Sequence, residues 1–157
     1  MNGTQIHAFI LALVTASGVW AMDTPKPEPK EPKDPALEQA RAAIGRQDWA
    51  GAQKLLHDAV ARNPQDADSH NLYAYALRKG DKPALDLVFR HYNEALRLDP
   101  KHRGAHEYIG EAYLMAGNVA KAKEHLAQLD RLCAFGCEEY TKLKKELAAY
   151  EQQHAKK

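Results

Sequence analysis

Residues 105–126 read AHEYIGEAYLMAGNVAKAKEHL, and the order of large and small residues in this stretch specifies how two helices meet. His106, Ile109, Gly110 and Tyr113 follow one another at three- and four-residue steps, which places them on one helical face. Ala122 and Leu126 do the same further on, and Gly117-Asn118 between the two runs supplies turn chemistry. The predicted unit is an antiparallel helix pair. Small residues at Gly110 and Ala122 let the backbones approach, and larger apolar groups pack around them.

The same plan recurs earlier in the chain. His70-x2-Tyr73-Ala74-x2-Leu77 lies on His106-x2-Ile109-Gly110-x2-Tyr113 without a gap, at an offset of 36 residues. Pro64 and Pro100 are also 36 residues apart, so two independent landmarks agree on the period. Ala52-x3-Leu56 repeats Ala122-x3-Leu126, and Ala40 stands where Gly110 stands later. The third copy ends differently: Leu129 is followed by Cys133-Ala134-Phe135-Gly136-Cys137 instead of a proline. Beyond it, Tyr140, Leu143, Leu147 and Tyr150 share one face of a last helix that covers the open end of the array.

The run His106-x2-Ile109-Gly110-x2-Tyr113 followed by Ala122-x3-Leu126 resembles the signature of the tetratricopeptide repeat, W-x2-L-G-x2-Y with a later A-x3-F. The resemblance covers essentially everything after residue 35. It implies an all-α fold of three helix-turn-helix repeats, at about 36–66, 67–102 and 103–136, with a capping helix at 137–154, forming a short right-handed solenoid. The family period is commonly 34 residues. Two extra residues are therefore expected near Gly80-Asp81-Lys82-Pro83.

The same resemblance implies a non-enzymatic scaffold that holds a protein or peptide segment on the concave surface lined by the first helix of each repeat. Carried over by position, the groove residues are Arg41, Asn71, Tyr75, Arg78, Lys79, Glu107 and Glu111, with Leu114 beside them. Spacing supports this independently, since 71, 75, 78 and 107, 111, 114 each follow i, i+4, i+7, a stripe adjacent to the packed one. Such a groove is basic at its middle and acidic toward its end. It suits a segment carrying both signs or aromatic groups rather than a uniformly acidic tail.

Composition narrows the function classes. Of 157 residues, 45% are hydrophobic and the formal net charge is +1, which gives no electrostatic bias toward nucleic acid. Residues 1–21 hold no Asp, Glu, Lys or Arg, and the apolar run AFILALV at 8–14 leads to Val19 and Ala21. This reads as a secretory signal peptide cleaved after Ala21; an uncleaved anchor is the alternative. Five of the eight prolines lie between Pro25 and Pro35, alternating with Lys and Glu, so residues 22–35 read as an extended solvated linker. Export to a bacterial periplasm or a similar oxidising space follows.

The remaining candidates for chemistry each have a plainer reading. Cys133 and Cys137, the only cysteines, form an even pair suited to a disulfide in an exported chain, and a thiol-redox or copper-handling role is the sharper alternative. His102-x3-His106 has the spacing of two metal ligands, but His70 and His106 occupy the position where the family packs an aromatic residue. Glu107 and Glu111 could serve as acid and base; the plainer reading is an exposed stripe, with nothing nearby to separate their acidities. Trp49, Tyr73, Phe89, Tyr92 and Tyr113 read as core. No cofactor or metal is expected.

Overall fold

The computed structural model describes residues 34–155, and the leader and most of the Pro/Lys/Glu linker lie outside them. The described residues form seven helices and no strand: α1 Pro35–Gly45, α2 Trp49–Arg62, α3 Ala67–Lys79, α4 Leu85–Leu98, α5 Arg103–Met115, α6 Val119–Leu132 and α7 Glu138–His154. Helices α1–α2, α3–α4 and α5–α6 make three hairpins, and α7 packs on both α5 and α6.

Local chemistry starts and stops these helices. Asp34 caps α1 by accepting from the Ala36 amide at 2.8 Å, and Pro35 stands in the first turn, where a missing N–H costs nothing. Asp48 and Asn118 hold equivalent capping positions on α2 and α6, accepting from Gly51 and Lys121 at 2.9 and 3.1 Å. The residue before each of these caps is left-handed: Gly117 at φ 78° and Gln47 at φ 59°. The first and third hairpins turn through residues 46–48 and 116–118, whereas the second needs 80–84, two residues more.

Three buried clusters run along the array. Leu56 with Ala40, Ala43 and Ala52 fills the first; Val88, Tyr92 and Ile109 fill the second; Leu129, Leu143 and Leu147 fill the third. Of the aromatic residues expected in the core, only Tyr92 is wholly buried; Trp49, Tyr73, Phe89 and Tyr113 are half-buried at its edge. Gly110 corrects one expectation. The neighbour it makes room for is in α7, not α6: a Cβ there would lie 2.5 Å from Cδ2 of Leu143.

The two histidines predicted as packing residues are buried at 6% and 7% exposure, and each is also hydrogen-bonded. His70 Nε2 donates to the Pro64 carbonyl at 3.1 Å, and His106 Nε2 donates to the Pro100 carbonyl at 3.1 Å. A carbonyl can only accept, so in each neutral ring Nδ1 is the acceptor. Opposite them stand His91 and His125, whose Nδ1 atoms lie 2.9 and 3.0 Å away and must carry the hydrogen. Each imidazole pair closes its own hairpin, α3 on α4 and α5 on α6.

Cys133 ends α6 at the position the earlier repeats give to Asn63 and Asp99, each followed by proline. The Sγ atoms of Cys133 and Cys137 stand 2.07 Å apart, and Phe135 projects fully exposed from the loop between them. Among the described residues, no helix is long and apolar enough to cross a membrane.

Candidate functional site

A groove of about 660 Å³ opens between α3, α5 and α7. Helix α3 contributes Tyr75, Arg78 and Lys79; α5 contributes Glu107, Tyr108, Glu111, Leu114 and Met115. The far wall is the capping helix, through Lys142, Glu146, Ala149, Tyr150, Gln153 and His154. Five of the seven residues assigned to the groove from sequence thus meet in one place. Arg41 and Asn71 do not line it.

Those two lie elsewhere for identifiable reasons. Asn71 is 3% exposed, its Nδ2 close to Gly104 of α5, and its Oδ1 has no partner among the described residues. Arg41 Nη2 donates to Asp68 Oδ2 at 2.7 Å, and Asp68 Oδ1 accepts from His102 Nε2 at 2.9 Å. His102 Nδ1 in turn accepts from the Ala105 amide at 3.1 Å. One carboxylate thereby joins α1, α3 and the start of α5. The bond from His102, followed by the charge of Arg41, outweighs burial and holds the Asp68 carboxyl below the usual range.

Aromatic rings build the α3 side of the groove. Tyr75 meets Tyr108 at 4.6 Å between centroids and Trp49 edge-on at 5.9 Å. The Arg78 guanidinium sits 5.5 Å over the Tyr75 ring, and Lys79 Nζ lies 5.9 Å over Trp49. Tyr75 thus joins Trp49 and Tyr108 into one continuous aromatic wall.

The charges are less open than the sequence suggests. Arg78 Nη2 donates to Glu111 Oε2 at 2.5 Å, with side chains only 10% and 21% exposed, and Arg78 Nε donates to the Tyr92 hydroxyl at 3.4 Å. The basic middle and the acidic end therefore neutralise each other across the second and third repeats. Glu107 departs further from an exposed stripe. It is 3% exposed, and no hydrogen bond or ion pair among the described residues reaches its carboxylate. Burial outweighs the opposing charge of Lys142, the next largest influence, and with smaller help from Glu111, Glu139 and Glu138 pushes its pKa up to about 7. Tyr108 beside it is pushed up to about 12 by burial and by Glu107. The two glutamates have different environments after all, one paired and one not.

Sequence reasoning missed the α7 wall and Tyr108. The signal for α7 was present: 142, 146, 149 and 153 follow the same i, i+4, i+7 stripe beside the packed Leu143 and Leu147. Among the described residues, no group of three or more His, Cys, Asp or Glu is arranged to hold a metal ion.

The tetratricopeptide repeat model matches residues 37–86 and 90–136. The chain belongs to the tetratricopeptide repeat family. No curated protein sequence matches it. Several solved tetratricopeptide structures share its fold. The chaperone SycD of Yersinia enterocolitica, in complex with a peptide of the translocator YopD, is 17% identical with a TM-score of 0.65, covering 75% of this chain and 91% of that one. The TPR2B domain of yeast Sti1, in its pHsp70 complex, is 22% identical with a TM-score of 0.65, covering 76% and 98%. TTC0263 of Thermus thermophilus is 21% identical with a TM-score of 0.63, covering 78% and 66%.

Proposed function

We propose that this tetratricopeptide repeat protein binds an extended segment of another protein in the groove between α3, α5 and α7, and that its work is recognition, not turnover. The observation that carries this reading is the groove itself: an aromatic wall, a floor of buried charge, and an exposed Met115 and a half-buried Tyr150 at its edges. SycD and the TPR2B domain of Sti1, which share the fold, are solved in complex with a peptide of the translocator YopD and with pHsp70 respectively. We further propose that the chain is exported with cleavage after Ala21, that residues 22–35 are a spacer, and that Cys133 and Cys137 form a structural disulfide in that setting.

Selection of random dodecapeptides displayed on phage tests the binding reading. Sequences enriched on the wild-type protein should fail to bind a Tyr75→Ala/Met115→Asp variant that melts normally. A selection yielding no peptide sensitive to those two changes overturns the groove as the site. Intact mass of the exported protein reports loss of the leader and, through two missing hydrogens, the disulfide.

A further inference from the structure

We propose that the groove takes a cationic side chain, lysine or arginine, of the bound segment onto the carboxylate of Glu107. The inference rests on the groove being the peptide site, and adds the residue that its floor selects. Glu107 lines the groove yet is 3% exposed, and among the described residues no hydrogen bond or ion pair reaches it, the charge of Lys142 acting on it only from beyond ion-pair distance. A buried carboxylate without a counter-ion is costly to leave in that state.

The cations near it are already held. Arg78 is bound to Glu111, Lys142 Nζ lies 2.7 Å from Glu138, and Arg103 lies 3.6 Å from Glu139. Each of these carboxylates has its own partner; Glu107 and Glu146 are the groove carboxylates left without one among the described residues, and of the two Glu107 alone is buried while Glu146 is exposed to water. Beside it, Tyr75 and Tyr108 present aromatic rings at the opening, where a long cationic side chain lays its methylene stem. Burial keeps the carboxylate partly protonated when the groove is empty, and an incoming cation draws it into the ionised form. Anions gain nothing there. A neutral polar group of the same length leaves the charge unmatched.

Four fluorescein-labelled dodecapeptide pools, identical except for Lys, Arg, Gln or Glu at one fixed central position, provide the test by anisotropy. The Lys and Arg pools should bind about tenfold more tightly than the Gln pool, and the Glu pool more weakly still. Glu107→Gln should erase the Lys-over-Gln preference, which is read as the ratio of the two affinities within each protein. The preference should also shrink as pH falls from 8 to 6. Pools that bind equally well, with binding lost in Tyr75→Ala/Met115→Asp, overturn the cation site and leave the groove reading intact. Pools whose binding ignores both the fixed residue and the groove variant overturn both.

Discussion

His70 Nδ1 and His91 Nδ1 lie 2.9 Å apart, and the same bond recurs between His106 and His125 at 3.0 Å. Only one ring of each pair can lend its Nδ1 lone pair, so a doubly protonated pair must open. Burial, then the facing histidine, holds His91 and His125 down at about 4; Arg90 and Lys121 add to this and Glu94 and Glu124 oppose it. The unfolded chain takes up these protons from about pH 6.5 downward, the folded protein only near 4. Stability is therefore complete above that window and falls as pH drops through it. Urea midpoints at half-unit steps from pH 7.5 to 4.5 should hold level down to about pH 6.5 and decline below it. The His91→Gln/His125→Gln variant should show a flatter profile in the same range, and an unchanged slope would place the acid sensitivity elsewhere.

Glu107 contributes with the opposite sign. Its pKa is raised from 4.5 to about 7, so the folded state binds the extra proton and stability falls as pH rises between those values. Glu107→Gln should raise stability above pH 7 by up to ~3 kcal/mol and change little below pH 4.5. Equilibrium denaturation at pH 8 and pH 4.3 reads this directly. A variant destabilised at both values would mean that the carboxylate has a partner in solution.

Gly110 and Leu143 share a space that admits only one side chain. Adding a methyl in Gly110→Ala should cost roughly 1–3 kcal/mol by pushing α7 off α5. Leu143→Ala should cost about 2–5 kcal/mol by leaving a cavity, since Leu143 is wholly buried. Combined, the two changes should cost less than their sum, because the new methyl occupies part of the void. Strict additivity in a double-mutant cycle would show that α7 is not seated on Gly110.

Gln47 and Gly117 occupy the same turn position in the first and third hairpins, both with positive φ. A side chain resists that conformation by about 1 kcal/mol, and glycine does not. Gln47→Gly should therefore stabilise the protein by up to ~1 kcal/mol, and Gly117→Ala should destabilise it by a similar amount. Thermal melts of both variants check the pair.

The architecture was legible because it depends on spacing. The 36-residue offset and the residues at Gly110, Ala122 and Pro100 report backbone geometry, which tertiary context rarely overrides. The five-residue turn at 80–84 followed from the same arithmetic. What spacing could not report was how side chains pair across repeats. Arg78 and Glu111 are 33 residues apart, and nothing local says that one neutralises the other or that Glu107 is left without a cation. Asn71 has the right register for the groove but lies one layer down, against Gly104. The role of Gly110 was misjudged for a related reason: its neighbour comes from the end of the chain, not from the next helix.

Asp68 carries a mechanical implication. Arg41, Asp68 and His102 form a chain of bonds at 2.7 and 2.9 Å that runs across the first helices of all three repeats. With the Arg41 and Asp68 side chains close to half exposed, it is a water-accessible tie that biases the spacing of these helices toward the one observed. Splaying α3 from α5 would stretch the Asp68–His102 link, so the side of the groove that these two helices build is partly ordered before a segment arrives, which lowers the entropy lost on binding.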